Sequence, residues 1–163
     1  AVLEEEGIRF VTNTAIGKDI AADQLKADFD SVVLCGGATV RRSLPIPGAD
    51  LKGVHQAMDF LPQNNRRVDG LEYVGEDILA TAKKVIVIGG GDTGSDCIGT
   101  SIRQGAVSVQ NFEIMGKGTE DRPENQPWPY WPMRLRTSSS HKEGAERHFA
   151  ISTKEVNKSE RSF

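Results

Sequence analysis

The chain has 163 residues and a net charge of −3, with acidic and basic side chains mixed along its whole length. A chain of this length can bury one good core, or one domain and part of another. No basic stripe points to nucleic acid, no apolar run approaches the ~18 residues of a membrane span, and the first residues lack the basic-then-apolar order of a signal segment.

Short helical and extended patterns alternate over the first third of the chain. Residues 8–12 predict a strand, and a helix is predicted over 21–29, with Asp19 as its expected cap. Residues 31–35 are apolar enough to predict a buried strand, which the small residues 36–38 end abruptly.

A linker is expected next, because two prolines and a glycine lie within residues 44–48. Beyond it, apolar side chains at helical spacing predict a helix over 54–61.

The two cysteines, Cys35 and Cys97, are far apart and fit neither C-x-x-C nor Cys/His metal spacing. We therefore expect two free thiols, no metal site and a reducing, cytoplasmic compartment. Because iron–sulfur clusters usually take more thiolates than this chain has, no such cluster is expected within it.

The most informative stretch is VIVIGGGDTGSD. Residues 85–88 are all β-branched and predict a central parallel strand buried on both faces. They are followed by the run Gly89-Gly90-Gly91-Asp92-Thr93-Gly94, in which the glycines at 89, 91 and 94 fit G-x-G-x-x-G, and by a predicted helix over 93–103. In a dinucleotide site the first glycine allows a tight turn, the second lets the pyrophosphate approach the backbone, and the third packs the helix on the strand. The alternative is a tight turn in a purely structural α/β unit.

A second strand is predicted over 107–112, and it ends at Glu113, about 20 residues beyond the glycines. A carboxylate there is placed to accept hydrogen bonds from ribose hydroxyls and to repel the 2′-phosphate of NADPH. The site is therefore interpreted as one for NADH rather than NADPH. Two alternatives stay open: Glu113 as a solvated charge at a strand end, and Lys117 as a partner for a phosphate.

Residues 119–136 contain four prolines and three large aromatic side chains, which exclude a helix interior or a central strand. The segment is interpreted either as a surface loop whose Trp128 and Trp131 cover the core edge, or as a wall over the nicotinamide or a docking surface. The serines before His141 form no G-x-S-x-G elbow, so His141 is interpreted as a loop or capping residue. Apolar residues alternate with polar ones over 149–156, which is the last stretch of the sequence with a recognisable pattern.

Taken together, these motifs resemble a known family. The runs VIVIGGGDTGSDCIGTSIRQGA, NFEIM and NQPWPYWPMRLRTSSSHKEG resemble the small (beta) subunit of glutamate synthase, especially its NADH-linked branch. The run FDSVVLCGGATVRRSLPIPGADLKGVHQAMDFL resembles the exit of the FAD domain in the same family, so that the resemblance covers residues 1–157.

The resemblance implies an α/β fold made of Rossmann-like three-layer dinucleotide-binding domains of the FAD/NAD(P) type. It implies hydride transfer from NADH or NADPH to FAD, followed by electron transfer through iron–sulfur clusters to the large (alpha) subunit, where glutamate is made. It assigns residues 1–60 to part of the FAD domain with a linker helix, and residues 61–163 to the NAD(P)H-binding domain.

Site residues are also implied by the resemblance. Gly89, Gly90, Gly91, Asp92, Thr93, Gly94 and Glu113 would bind the pyridine nucleotide, and Cys35, Gly36, Gly37 and Ala38 would approach FAD. No catalytic side chain is expected, because hydride transfer is the chemistry of the cofactors. The family's FAD glycine fingerprint, its cysteine-rich domain and its later Gly-Asp segment have no counterpart in the 163 residues. We therefore expect the isolated chain to hold FAD weakly and the clusters to lie outside it.

Three alternatives use the same glycines. One is a related NAD(P)H–ferredoxin-type electron-transfer subunit, or the electron-input part of dihydropyrimidine dehydrogenase. Another is a non-catalytic nucleotide-binding module. The third is a small dehydrogenase acting alone, which would need an acid–base residue that the sequence does not offer. None of these involves nucleic acid or a membrane.

Overall fold

The computed structural model describes residues 2–38 and 40–158. The chain divides into two compact units, residues 1–38 and residues 39–163. The parallel sheet and the candidate pyridine-nucleotide residues belong to the second unit.

The first unit holds two short helices, α1 (Val2–Glu5) and α2 (Ala22–Asp28). The helix predicted over 21–29 is confirmed as α2, but its N-cap is Ala21 and has no side-chain hydrogen bond. Asp19 is not the cap, because its Oδ2 accepts a hydrogen bond from the N–H of Ala15 at 2.8 Å.

Both strands predicted in this unit are wrong. Residues 8–12 and 31–35 have no regular secondary structure, and Val33 and Leu34 are 82% and 91% exposed. An apolar run becomes a strand only where a neighbour pairs with its N–H and C=O groups. No described segment of the first unit forms a ladder with either run.

The second unit is a parallel α/β arrangement, which confirms the predicted fold class. Three strands pair in parallel in the order β1-β2-β3, and Val85 of the first is in register with Val109 of the second. The strands are β1 (Lys84–Ile88), β2 (Ser108–Glu113) and β3 (Glu146–Phe149), and the helices are α3 (Ala57–Val68), α4 (Asp92–Arg103) and α5 (Ser139–Lys142).

In the sheet that the described residues form, β1 is an edge strand, so the prediction that residues 85–88 form a central strand is wrong. Val87 is buried, whereas Ile86 and Ile88 are 56% and 48% exposed, so that β1 is covered on one face. Both faces of β1 carry β-branched side chains. The difference in burial between the two faces therefore produces no alternation of apolar and polar residues in the sequence. Among the described helices, α4 is the one that packs on β1 and β2. Of the three layers expected of the fold, the described residues thus form two, the sheet and the helices on one of its faces.

The core lies between α4, α3 and the covered face of the sheet. Ile98 of α4 is fully buried, and it clusters with Phe60 of α3 and with Val87 and Val109 of the strands. Complete burial of one such side chain contributes about 1.5–3 kcal/mol. α4 is therefore fixed between the strands and α3, and the turn at its first residue is held in place.

α3 differs from the helix predicted over 54–61, because it starts at Ala57 and continues through Pro62 to Val68. A buried glutamine follows the proline: Gln63 is 1% exposed. Its Oε1 accepts the N–H of Ile78 at 3.0 Å, and its Nε2 donates to the carbonyl oxygen of Glu76 at 3.2 Å. These bonds attach the segment before β1 to α3.

The other segments that the structure describes lack helices and strands, as predicted for residues 44–48 and 119–136. Trp128 and Trp131 are 84% and 71% exposed, so the interpretation that they cover the core edge is wrong. The guanidinium of Arg136 lies 4.0 Å from the ring centroid of Trp131. Of the alternating run 149–156, only its first residue belongs to a strand.

Candidate nucleotide-binding site

The turn between β1 and α4 has the geometry that the glycine spacing predicts. Gly89 has a φ of +112°, which favours glycine, and its N–H donates to the carbonyl oxygen of Phe112 at 2.8 Å. Gly91 is the N-cap of α4 and provides no side-chain hydrogen bond to the helix. A Cβ at Gly91 would meet no atom within 4 Å, so the backbone there is open to a ligand.

The third glycine brings α4 close to β1. A Cβ on Gly94 would lie 2.5 Å from the carbonyl oxygen of Gly89 and 3.7 Å from Cγ1 of Val87. The first distance is shorter than any ordinary contact, so a larger side chain would push the helix away from the strand. The turn at Gly89 and the close packing at Gly94 thus agree with the expected structural roles of these two glycines, and the backbone at Gly91 is open.

Glu113 lies beside the same turn. Its half-buried carboxylate is so close to Gly90 that a Cβ on that glycine would collide with Oε2. Oε1 accepts the N–H of Met115 at 3.0 Å, which orients the carboxylate. An acceptor for hydroxyl groups is thus placed next to the uncapped start of a helix.

Asp92 and Thr93 form the first turn of α4, and both are exposed. Lys117 is exposed beyond the end of β2. No hydrogen bond or ion pair between Lys117 and the glycine turn is present in the described part of the chain.

Asn111 is a structural residue of the site that the sequence reasoning missed. Its side chain is completely buried, and its Nδ2 donates to the carbonyl oxygens of Val87 at 3.1 Å and Gly89 at 2.8 Å. It therefore ties β2 to the end of β1 and to the glycine turn. The available signal was an asparagine within an apolar strand, since buried amides need hydrogen-bond partners.

A second polar group missed by the sequence reasoning links α4 to α5. The hydroxyls of Ser95 and Ser138 are hydrogen-bonded to each other, and Ser138 Oγ lies 2.9 Å from Nδ1 of His141. His141 is buried, and desolvation lowers its pKa, with a further contribution from the charge of Arg147.

The interpretation of His141 as a capping residue is confirmed. Ser138 and His141 form a capping box at the start of α5, in which Nδ1 accepts the N–H of Ser138 at 3.1 Å. Because Nδ1 is occupied by a backbone donor, it is not available as a base for a serine nucleophile.

The residues predicted to approach FAD lie in the first unit, without regular structure. Cys35 is exposed and free, and Gly37 has a φ of +63°. A Cβ on Gly36 or Gly37 would meet no atom within 4 Å, so the backbone at both glycines is open. The last residue of the segment, Ala38, is exposed as well.

Within residues 2–38 and 40–158, no group of three or more His, Cys, Asp or Glu side chains is arranged to hold a metal ion. In the same residues, every helix is too short or too polar to cross a bilayer.

Comparison with known proteins shows the family. The family described as pyridine nucleotide-disulphide oxidoreductase matches residues 1–122. The chain is 52% identical to a glutamate synthase (NADPH) small chain of Mycobacterium tuberculosis, over 93% of this chain and 32% of that protein. It is 44% identical to the small chain of the same name in Bacillus subtilis, over 94% and 31%.

A third relative is named for NADH instead of NADPH. The chain is 46% identical to a glutamate synthase (NADH) of Saccharomyces cerevisiae, over 90% of this chain and 7% of that protein. The resemblance inferred from the motifs is thereby confirmed. The chain spans about a third of the length of the small chains that it matches.

Proposed function

Because the chain belongs to the pyridine nucleotide-disulphide oxidoreductase family, we propose that β1, the glycine turn, α4 and β2 bind the adenosine half of NADH or NADPH. The nucleotide would serve as the electron donor of a glutamate synthase small subunit, in agreement with the names of the relatives.

The observation that carries this proposal is the contact between Glu113 and the glycine turn. Within one dinucleotide, the pyrophosphate and the adenosine ribose are neighbouring groups, so a site must place N–H donors beside a hydroxyl acceptor. The start of α4 supplies the donors, and the carboxylate of Glu113, packed against Gly90, supplies the acceptor.

The described residues would bind and orient the nucleotide. Gly91 leaves the backbone open to the pyrophosphate, Gly94 holds α4 against β1, and Asn111 fixes the turn between them. When bound, NADH or NADPH would supply the hydride and FAD would accept it. The first turn of α4, including Asp92 and Thr93, lies at the positive end of the helix, which favours the phosphates.

We also propose that Cys35, Gly36, Gly37 and Ala38 approach FAD, because the backbone at the two glycines is open. Residues 1–60 would then be part of the FAD domain and residues 61–163 the NAD(P)H domain. Iron–sulfur clusters and the large (alpha) subunit would receive the electrons outside this chain. The two free thiols fit a cytoplasmic location.

The preferred nucleotide is proposed to be NADH. A carboxylate at the end of β2 binds ribose hydroxyls and repels a 2′-phosphate. The names of the relatives include both nucleotides, so the preference depends on the residues of this chain.

The experiment that tests the site is a titration of the chain with NADH and NADPH, comparing wild type with Gly91→Ala. The substitution is tolerated by the backbone, since Gly91 has a φ of −76° and a Cβ there meets no atom within 4 Å. We expect nucleotide affinity to fall at least about tenfold, because the methyl group occupies the space of the pyrophosphate. The melting temperature should stay close to that of the wild type.

Gly116→Ala is the matched control. Gly116 is exposed, a Cβ on it would also meet nothing within 4 Å, and it lies outside the proposed contacts. If the wild-type chain binds neither nucleotide, or if Gly91→Ala and Gly116→Ala bind both equally well, the glycine turn is not the binding site.

A further inference from the structure

Arg147 of β3 shares a face of the sheet with Glu113. In the parallel register, Arg147 pairs with Asn111 and Phe149 pairs with Glu113. Paired residues and residues two positions apart point to the same face. Arg147 is therefore a diagonal neighbour of Glu113 on the face that packs against α4. Their charges interact, since the carboxylate opposes the lowering of the arginine pKa that burial causes.

The guanidinium of Arg147 is held mostly by neutral groups. Its Nη1 donates to the carbonyl oxygen of Arg136 at 2.9 Å and to Oγ1 of Thr137 at 3.4 Å. Its Cζ lies 4.9 Å from the ring centroid of Phe149. Its Nε is buried and has no acceptor among the described residues. The half-buried guanidinium therefore places a positive charge on the same face of the sheet as the proposed ribose acceptor, which suits an anionic ligand.

We propose that Arg147 is a second specificity residue of this site and that it allows the 2′-phosphate of NADPH to bind. This inference rests on the proposed function. The 2′-phosphate is attached to the ribose at the hydroxyl that Glu113 would bind, so it must lie close to that carboxylate. Alone, the carboxylate would repel it strongly, whereas a carboxylate and a guanidinium together have almost no net charge. Glu113 thus favours NADH, and Arg147 reduces the preference for NADH over NADPH.

The other nearby cations are less suited to this role. Lys117 is exposed on the segment after β2, where solvent screens its charge. Arg136 has its guanidinium over the ring of Trp131 at 4.0 Å. Arg147 has the position on the sheet and the partial burial that make a charge effective.

The test measures the dissociation constants of NADPH and NADH for wild type, Arg147→Gln and Arg147→Lys, at one fixed salt concentration. We expect Arg147→Gln to weaken NADPH about tenfold or more and to leave NADH unchanged or slightly tighter. Arg147→Lys should recover most of the NADPH affinity. Arg103→Gln is the matched control, because Arg103 pairs with Glu143 at 2.6 Å on the α4–α5 side.

A purely structural role would give a different result. If Arg147 only holds residues 136–137, Arg147→Gln changes both nucleotides by the same factor, and the inference is overturned. If wild type binds neither nucleotide, the proposed site itself fails, which is a separate outcome.

The salt dependence of the wild type decides the question even if Arg147→Gln does not fold. With the guanidinium offsetting the carboxylate beside the 2′-phosphate, rising salt should leave the ratio of NADPH affinity to NADH affinity nearly unchanged or lower it. With Glu113 acting alone, salt screens the repulsion, and NADPH should gain on NADH. The second result overturns the inference.

Discussion

The side-chain amide of Asn111 donates to the carbonyl oxygen of Gly89 at 2.8 Å, and so connects β2 to the glycine turn. The same Nδ2 reaches the carbonyl oxygen of Val87 at 3.1 Å. One buried side chain therefore holds both the end of β1 and the first glycine of the fingerprint. The shape of the turn depends on the neighbouring strand as well as on its own glycines.

Asn111→Leu should destabilise the fold. The substitution removes the donor and leaves two carbonyl oxygens without it, which costs about 1–3 kcal/mol for buried groups. Urea denaturation of the chain measures the change. Gln110→Leu is the control on the opposite face, since that amide donates to Glu146 at an exposed site. An exposed change of this kind is expected to stay within about 0.5 kcal/mol. Equal effects of the two variants would contradict the importance assigned to Asn111.

The glycine turn could be predicted because its causes are local. The φ of Gly89 and the close approach of Gly94 follow from spacing within a few residues. Glu113 could also be placed, since a parallel strand brings its last residue to the edge where the turn lies. The role of Asn111 could not be predicted, because its partners are the carbonyl groups of Val87 and Gly89, more than 20 residues earlier in the chain.

The pairing of strands was predicted least well from the sequence, because it depends on segments that are distant along the chain. Residues 8–12 and 31–35 have strand composition, but no described segment of their unit pairs with them. β1 has the composition of a central strand and lies at the edge, since β2 is the one described strand that pairs with it. Composition measures how well a residue fits a sheet, whereas the position in the sheet is set by distant segments.

Glu113→Ala should change nucleotide preference. A hydrogen bond to a charged group contributes about 1.5–3 kcal/mol, so losing it should weaken NADH roughly ten- to hundredfold. NADPH affinity should be unchanged or improved, because the carboxylate no longer repels the 2′-phosphate. Titration of both nucleotides at one salt concentration measures this. If wild type prefers NADPH, or if both affinities fall together, Glu113 is not the selector.

The two thiols should react at very different rates. Burial, followed by the charge of Asp96, raises the pKa of Cys97 to about 11, whereas Cys35 is exposed. At about pH 8, roughly one Cys97 side chain in a thousand is a thiolate, the form that reacts. Iodoacetamide should label Cys35 first, and Cys97 only in urea, as mass spectrometry of peptides will show. In Cys35→Ser, rapid labelling should disappear; labelling of native Cys97 at a similar rate would disprove its burial.

His141 should make stability depend on pH. Desolvation lowers its pKa from the ordinary 6.5, so the folded protein favours the neutral ring. The unfolded chain then binds more protons as the pH falls through that value, and the folded state loses stability on the acid side. The contribution is complete above about pH 7 and decreases as the pH falls towards the lowered pKa.

His141→Asn should flatten this part of the pH profile, because the amide oxygen can still accept the N–H of Ser138 but does not titrate. Urea denaturation at several pH values measures the slope. His55→Asn makes the same change at an exposed histidine and shows the effect of the substitution itself. If His141→Asn keeps the wild-type slope, another group is responsible.

The edge position of β1 also has a consequence for amide hydrogen exchange. The N–H of Gly89 points to β2, and so does the carbonyl of Lys83. By the alternation of a strand, the N–H groups of Val85 and Val87 point the same way, and those of Ile86 and Ile88 point to the open side. Slow and fast exchange should therefore alternate along β1. In a longer form of the protein, slowed exchange at Ile86 and Ile88 would reveal a further strand hydrogen-bonded to this edge.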